Sequence, residues 1–329
     1  MTGKTIVYLP NWIGDMVMAV PFLQSLRISV LGEIWGIGKS SAIHIYNGLN
    51  LFDRFIPLDK KDIVSFFDAV SFLKKSGFKR GILLPHSFRS ALLFYMAGIK
   101  ERTGYARNKR GFMLTKPVPE ALTLEPTTEH YMRIIDEMGG RRAEQEAPLL
   151  AVAHDEEQRY NEQYTDIDKP YVVFVIGAQY GSSKCWPPVY FSELADMVVK
   201  RLGMKVYLLP GKNEKGLAKE VYDGSTQKGG IEIRDMDIRD LKVCISHASL
   251  VLSNDTGPRH ISAALFVPTV VLLGPMDARY TDYPSACTHL LSADVPCRPC
   301  NKKVCERDHG CMKQIMPETV FKKMEAILE

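Results

Sequence analysis

The chain has no apolar run long enough to cross a membrane. The longest, residues 261–273, is interrupted by Pro268 and falls short of the roughly 20 apolar residues a spanning helix needs. It does not open on an export signal either. One Lys precedes an apolar stretch that Pro10 and Asp15 interrupt, without a small-residue cleavage pattern, so residues 5–9 read as a first strand. An excess of one charge is also missing. The 42 basic and 38 acidic residues leave a net +4, which excludes a polycation and moves attention to local clusters. Cysteine is sparse and odd in number: seven in all, four crowded near the C-terminal end. That usage fits a reducing cytoplasm better than a disulfide scaffold. Two nucleotide signatures are absent as well. No G-x-G-x-x-G run occurs, and Gly36-Ile37-Gly38-Lys39-Ser40 only imitates the end of a phosphate loop, because Glu stands at position 33 where that loop needs Gly.

What is present describes a globular α/β protein. With 329 residues, 46% of them apolar and 24% charged, the chain suits two domains of ordinary size. Strand-like runs alternate with helix-like ones, the pattern of parallel sheets with crossover helices. In the first half, residues 5–9 and 81–84 read as strands. Residues 16–30 and 87–97 read as helices, with Pro21 kinking or restarting the first. A polar, acidic stretch at 155–169 reads as the junction. Beyond it, residues 171–176, 205–209, 232–234, 250–253 and 269–273 read as strands and 188–202 as a helix, while 317–328 is an amphipathic helix able to dock back on the body. The expected fold is two doubly wound, Rossmann-like domains with a ligand cleft between them, because ligands gather at the carboxyl ends of such strands.

Several motifs lie at those ends. Ser253 to His260, SNDTGPRH, joins a β-branched run to a small-residue helix, with Pro258 at the helix start. It is either a capped turn, with Asp255 or Thr256 as the cap, or an anion site built from free amides at the positive helix end. Asp15, after Gly14 in a strand-to-helix turn, is either a residue favoured by the helix dipole or a general base. Asn11 and Trp12 stand beside it, and so large an aromatic in a turn suits packing on a lid or a ligand. Lys184, in the Gly- and Ser-rich segment 177–187, is a solvated loop lysine or a phosphate-binding ammonium. Glu214, after another strand, caps the next helix or accepts from a ribose or base edge. Lys100, Arg102, Arg107, Lys109, Arg110 and Lys116 crowd one loop. That loop is a solvated face or a receiver of phosphate and carboxylate groups, and no nucleic-acid fold signature accompanies it. Cys297, Cys300, Cys305 and Cys311, with His309 nearby, have a spacing that can close tetrahedrally on structural zinc or iron; free thiols or disulfides are the alternatives.

Taken in order, NWIGDMVM (11–18), LPHSFRSALLFYMAGIKERTGY (84–105), GAQYGSSKCWP (177–187) and SNDTGPRHISAAL (253–265) resemble the family 9 glycosyltransferases, the ADP-heptose:lipopolysaccharide heptosyltransferases, over nearly the whole chain. The resemblance implies a GT-B fold, with an acceptor-binding domain at 1–160, a nucleotide-sugar domain at 161–316 and the docking helix at 317–329. It implies an inverting transferase that needs no metal or other cofactor for catalysis. Asp15 would be the base, and Lys184 with the Thr256 and Gly257 amides would hold the ADP phosphates. Gln179, Tyr180, Glu214, Asp255 and His260 would complete the donor site, and Asn11, Trp12, His86, Ser87, Arg102 and Arg107 the acceptor site. The implied partners are ADP-heptose and a lipid A-linked core oligosaccharide, met by peripheral contact at the cytoplasmic face of the inner membrane, with no nucleic acid. A transferase with a different donor or acceptor, or a non-catalytic nucleotide-sugar-binding scaffold, is the alternative. Pro258 and Arg259 stand where better-known relatives carry a Gly-Leu-like pair, which bears on donor contacts.

Overall fold

The computed structural model describes residues 3–60, 62–167, 170–281 and 283–329. They divide into two compact units, the first comprising residues 1–151 with 279–283, and the second 152–278 with 284–329.

In the first unit the chain runs β1 (Thr5–Tyr8), α1 (Ile13–Met18), α2 (Val20–Ser29), β2 (Ile34–Gly38), α3 (Ser41–Tyr46), β3 (Arg54–Pro57), α4 (Ile63–Ser76), β4 (Arg80–Leu83), α5 (Phe88–Met96), β5 (Glu101–Tyr105), β6 (Lys116–Val118) and α6 (Thr127–Glu137). All strand pairs are parallel, in the order β3-β2-β1-β4-β5-β6. Pro21 restarts the helix as expected, at the first turn of α2, where its missing N–H costs nothing. The false phosphate loop is the end of β2, and Lys39 there donates to the Asn11 carbonyl at 3.3 Å.

The second unit runs α7 (His154–Gln163), β7 (Tyr171–Val175), α8 (Pro188–Met197), β8 (Lys205–Leu208), α9 (Lys215–Gly224), β9 (Ile231–Ile233), α10 (Ile238–His247), β10 (Leu250–Asn254), α11 (Gly257–Ala264), β11 (Thr269–Leu272), β12 (Thr288–Leu291), α12 (Gly310–Lys313) and α13 (Pro317–Leu328). Its parallel sheet has the order β12-β11-β10-β7-β8-β9. Counted from its own first strand this is the connectivity of the first unit, 3-2-1-4-5-6. Each unit therefore has one place where the strand order reverses, between β1 and β4 and between β7 and β10. Loops leaving the carboxyl ends there diverge to opposite faces and open a crevice, so each unit carries one favoured ligand position.

Two expectations need correcting. The polar stretch at 155–169 is mostly helix, not a junction. Only Glu156 and Tyr160 of α7 are buried, and Glu156 pairs with the buried Lys242 of α10 at 2.6 Å, which fixes α7 to the second unit. The basic run at 100–116 is not one loop, since Glu101 to Tyr105 form β5 and Lys116 begins β6. Arg110 within it is fully buried, donating to the carbonyls of Tyr105, Pro85 and Ser87. The last helix, α13, packs on α8 inside the second unit, with Arg201 and Glu318 paired at 3.0 Å.

Candidate active site

In the first unit, the β1 exit carries Asn11, Trp12 and Asp15, and the β4 exit carries His86 and Ser87. These five line one cavity of about 580 Å³ with Arg107, Glu120, Glu125, His130, Tyr131 and Tyr280. The topology alone brings 10–15 and 84–87 together, because β1 and β4 are hydrogen-bonded neighbours. Trp12 is half-exposed at 51%, consistent with an aromatic waiting for a ligand face. Asp15 lies in the first turn of α1. Its charge, second to burial, pushes the phenols of Tyr46 and Tyr131 further above their ordinary range. The carboxylate thus faces the cavity from a low-dielectric floor.

Cationic groups here are already matched. Arg107 makes a two-pronged pair with Glu120, at 2.7 and 2.6 Å, and Arg133 meets Glu125 at 2.6 Å. Arg102 lies off the cavity, its guanidinium turned to the carbonyls of Met113 and Ile99. Ser87 caps α5, accepting from the Ser90 N–H at 3.2 Å. His130, which sequence reading passes over, meets His86 at 3.0 Å between ring nitrogens. It is separated from His86 by 44 positions, and no motif links the two.

The second unit repeats the arrangement with the opposite charge. Leaving β7, the segment 177–187 brings Lys184; leaving β10, Asp255 to His260 enter α11. Lys184 Nζ donates to Asp255 Oδ2 at 2.8 Å and to the Asp255 carbonyl at 2.9 Å. Arg259 reaches the other carboxylate oxygen at 2.8 Å. Burial opposes the Asp255 charge, but Arg259 first and Lys184 next outweigh it, holding the carboxyl at about 2. His260 is driven well below its ordinary value by burial and then by Arg259, so it is neutral. Lys184 and Arg259 bring two cations onto one carboxylate at a helix N-terminus, a setting suited to an oxyanion. Arg259 thus completes the charge cluster as well as starting the helix.

The surrounding frame is tight. Asn254 is fully buried and stitches the two exits together, donating to the Ile176 carbonyl at 2.7 Å and accepting from the Trp186 N–H at 3.1 Å. The Trp186 indole is buried under the loop, its N–H on the Ile315 carbonyl at 2.9 Å. Glu214 does not cap α9 with its side chain. Its carboxylate turns back to the Gly211 N–H at 2.7 Å and fills the space beside Gly177, where a Cβ would stand 1.8 Å from the Glu214 carboxyl carbon. Tyr180 donates to the Asn301 carbonyl at 2.9 Å, its ring 5.0 Å from Lys184 Nζ. Gln179 is exposed, and Thr256 and Gly257 form the entry to α11.

The cysteine cluster does not form the expected metal centre. Among the described residues no three His, Cys, Asp or Glu side chains gather as metal ligands. Cys311 faces the core, its thiol raised to about 11 by burial and then by Cys297, Cys305 and Cys300, while Cys300 is exposed. Those three thiols are near enough to disfavour the ionisation of Cys311. Their loop instead braces the Lys184 segment, through Ser183 N–H to the Lys303 carbonyl at 3.1 Å and His309 to the Ser183 carbonyl at 2.7 Å.

Comparison with known proteins agrees with this geometry. The profile of "Glycosyltransferase family 9 (heptosyltransferase)" matches residues 69–310. The chain is 23% identical to lipopolysaccharide heptosyltransferase 2 of Escherichia coli strain K12, over 99% of this chain and 98% of that one. Among solved structures it resembles E. coli ADP-heptose lps heptosyltransferase II, with a TM-score of 0.86 at 22% identity, covering 99% of this chain and 98% of that one. It also resembles the E. coli heptosyltransferase WaaC with ADP-2-deoxy-2-fluoro heptose, with a TM-score of 0.71 at 15% identity over 98% and 99% of the two chains. These likenesses establish a GT-B-like fold.

Proposed function

The chain belongs to glycosyltransferase family 9, and from that premise we propose that it moves heptose from ADP-heptose to the inner core of lipopolysaccharide with inversion. The first unit takes the acceptor and the second the nucleotide sugar. Asp15 removes the proton from the acceptor hydroxyl as its oxygen bonds to the anomeric carbon. The bond from that carbon to the diphosphate oxygen breaks, and ADP leaves against Lys184 and the Thr256 and Gly257 amides, with Asp255 and His260 behind them. Positive charge fixed in advance where the leaving diphosphate becomes more negative lowers the barrier without a metal.

One observation carries this reading: the two equivalent switch points hold opposite chemistry. Asp15 stands at one, and the cations Lys184 and Arg259, joined through Asp255, at the other. The test is purified protein with ADP-heptose and heptosyl-Kdo2-lipid A. The expected result is an acceptor heavier by one heptose with one ADP released per transfer; ADP release without a heptosylated product would overturn it.

Glu214 is assigned to the adenosine, which makes Gly177 a sensitive neighbour. Gly177→Ala would push the carboxylate off the Gly211 N–H, and a flexible side-chain end moves without unfolding the core. We expect ADP to bind about tenfold more weakly with the thermal midpoint nearly unchanged. Unchanged ADP affinity by calorimetry would detach Glu214 from the nucleotide.

No helix among the described residues is long and apolar enough to span a membrane, so contact with a lipid-linked acceptor at the cytoplasmic face of the inner membrane is peripheral in this reading. The supporting surface is on the first unit. Phe112 is 71% exposed, near Phe88 and Tyr95, and Lys100 and Lys109 in the flanking sequence are exposed. Exposed aromatics with lysines suit an anionic lipid surface. Phe112→Ser should lower cosedimentation with phosphatidylglycerol-containing vesicles about tenfold and leave transfer to a deacylated acceptor intact. Equal vesicle binding would remove this face from the contact.

A further inference from the structure

We infer that His86 is a specificity-determining residue, whose bare Nδ1 accepts a hydrogen bond from a neutral hydroxyl of the acceptor sugar, in a tautomer set by Glu125 and passed on through His130. The inference rests on the acceptor occupying the first unit.

The argument is one of proton count along a chain of contacts. Arg133 holds one oxygen of Glu125 at 2.6 Å, and the other oxygen lies 3.3 Å from His130 Nδ1. A carboxylate paired with a guanidinium only accepts, so His130 Nδ1 carries the hydrogen. A neutral imidazole has only one, which leaves His130 Nε2 as a lone pair. That lone pair faces His86 Nε2 at 3.0 Å, so His86 Nε2 is the donor and His86 Nδ1 is left bare. The rings cannot readily swap these roles. His130 is stacked on Tyr105 with centroids 3.8 Å apart and planes within 10°, and its carbonyl takes the Tyr105 hydroxyl at 2.7 Å. Asn108 fixes the His86 backbone by donating to its carbonyl at 2.8 Å.

Both rings stay neutral at cellular pH. Burial, with His130, Arg107 and Arg110 against His86, holds that ring at about 4. Burial, then Arg107 and Arg133, does the same at His130, while Glu120 opposes both shifts without reversing them. A protonated pair would set N–H against N–H at 3.0 Å. The cavity wall at His86 therefore offers a neutral acceptor where an acidic sugar would need a cation. A hydroxyl fits it, while a phosphate or carboxylate oxygen would meet a lone pair. So low a basicity also leaves proton removal to Asp15.

The tautomers are directly measurable. Nitrogen-15 imidazole correlation spectra of the full chain at pH 7 should show His86 protonated at Nε2 only and His130 at Nδ1 only; Glu125→Gln should mix the two forms at His86. Kinetically, His86→Leu should raise the acceptor KM roughly tenfold, with ADP-heptose KM and kcat changed far less. His86→Asn, whose side-chain carbonyl stands near the place of Nδ1, should recover most of that loss. A His86 hydrogen on Nδ1, or an unchanged acceptor KM in a folded His86→Leu protein, overturns the inference. Failure of the wild-type protein to transfer heptose would instead sink the functional reading, and the spectra would still decide the tautomer.

Discussion

Asp15→Asn should lower kcat by about 10²- to 10⁴-fold, the usual worth of a positioned general base, with little change in either KM. The substitution keeps shape and removes the charge. The N-cap of α1 is Trp12, so the cap residue itself is untouched. The lost attraction to the helix N-terminus is about 0.3–1 kcal/mol, too little to unfold a domain of this size. Binding should persist because the amide still fills the same floor beside Tyr131. Single-turnover measurement at saturating donor and acceptor isolates the chemical step. A kcat within tenfold of the wild type would mean that another group takes the proton.

How far the sequence discloses such a site depends on which physical signal each part leaves. Strands β1, β7, β8, β10 and β11 are buried on both faces and read as apolar, β-branched runs, so alternation shows the doubly wound architecture. Three strands of the first unit escape that signal. β3 is mostly exposed, β5 is half charged, and β2 carries Gly36 and Gly38, whose Cβ atoms would press on Phe55 and Leu9. Its glycines record close packing and look from sequence like a phosphate loop. α7 buries so little that its composition resembles a linker. Asp255 and Arg259 lie only four positions apart, while the partnership of Lys184 with Asp255 spans 71 positions and follows only from β7 and β10 being neighbours. His130 leaves no signal at all, since its role is created by stacking on β5. The four cysteines show the limit of spacing: it says which thiols could meet, and among the described residues they gather no metal-ligand set.

Lys184→Met should cut kcat about 10²- to 10³-fold, the range for losing one preorganised group on a developing anion, while the protein stays folded. The charge cluster explains why both halves of that statement hold together. With Lys184 gone, Asp255 keeps Arg259 at 2.8 Å, so the buried carboxylate is not stranded. The site loses one positive charge, which weakens its pull on the departing diphosphate. Asp255→Asn does the reverse, leaving two cations in a buried setting without their carboxylate. That variant should lose about 3–5 kcal/mol of stability. Linkage separates the two further. The Asp255 carboxyl is held at about 2, below its unfolded value near 3.9. Its contribution is therefore complete above pH ~4 and is lost as pH falls through the folded value. Urea midpoints between pH 5 and 3 should keep that slope in Lys184→Met, where Arg259 is still the larger attraction, and flatten in Asp255→Asn. If Lys184→Met unfolds as readily as Asp255→Asn, Lys184 is part of the structural frame. If its kcat stays within tenfold of the wild type, the diphosphate is held elsewhere.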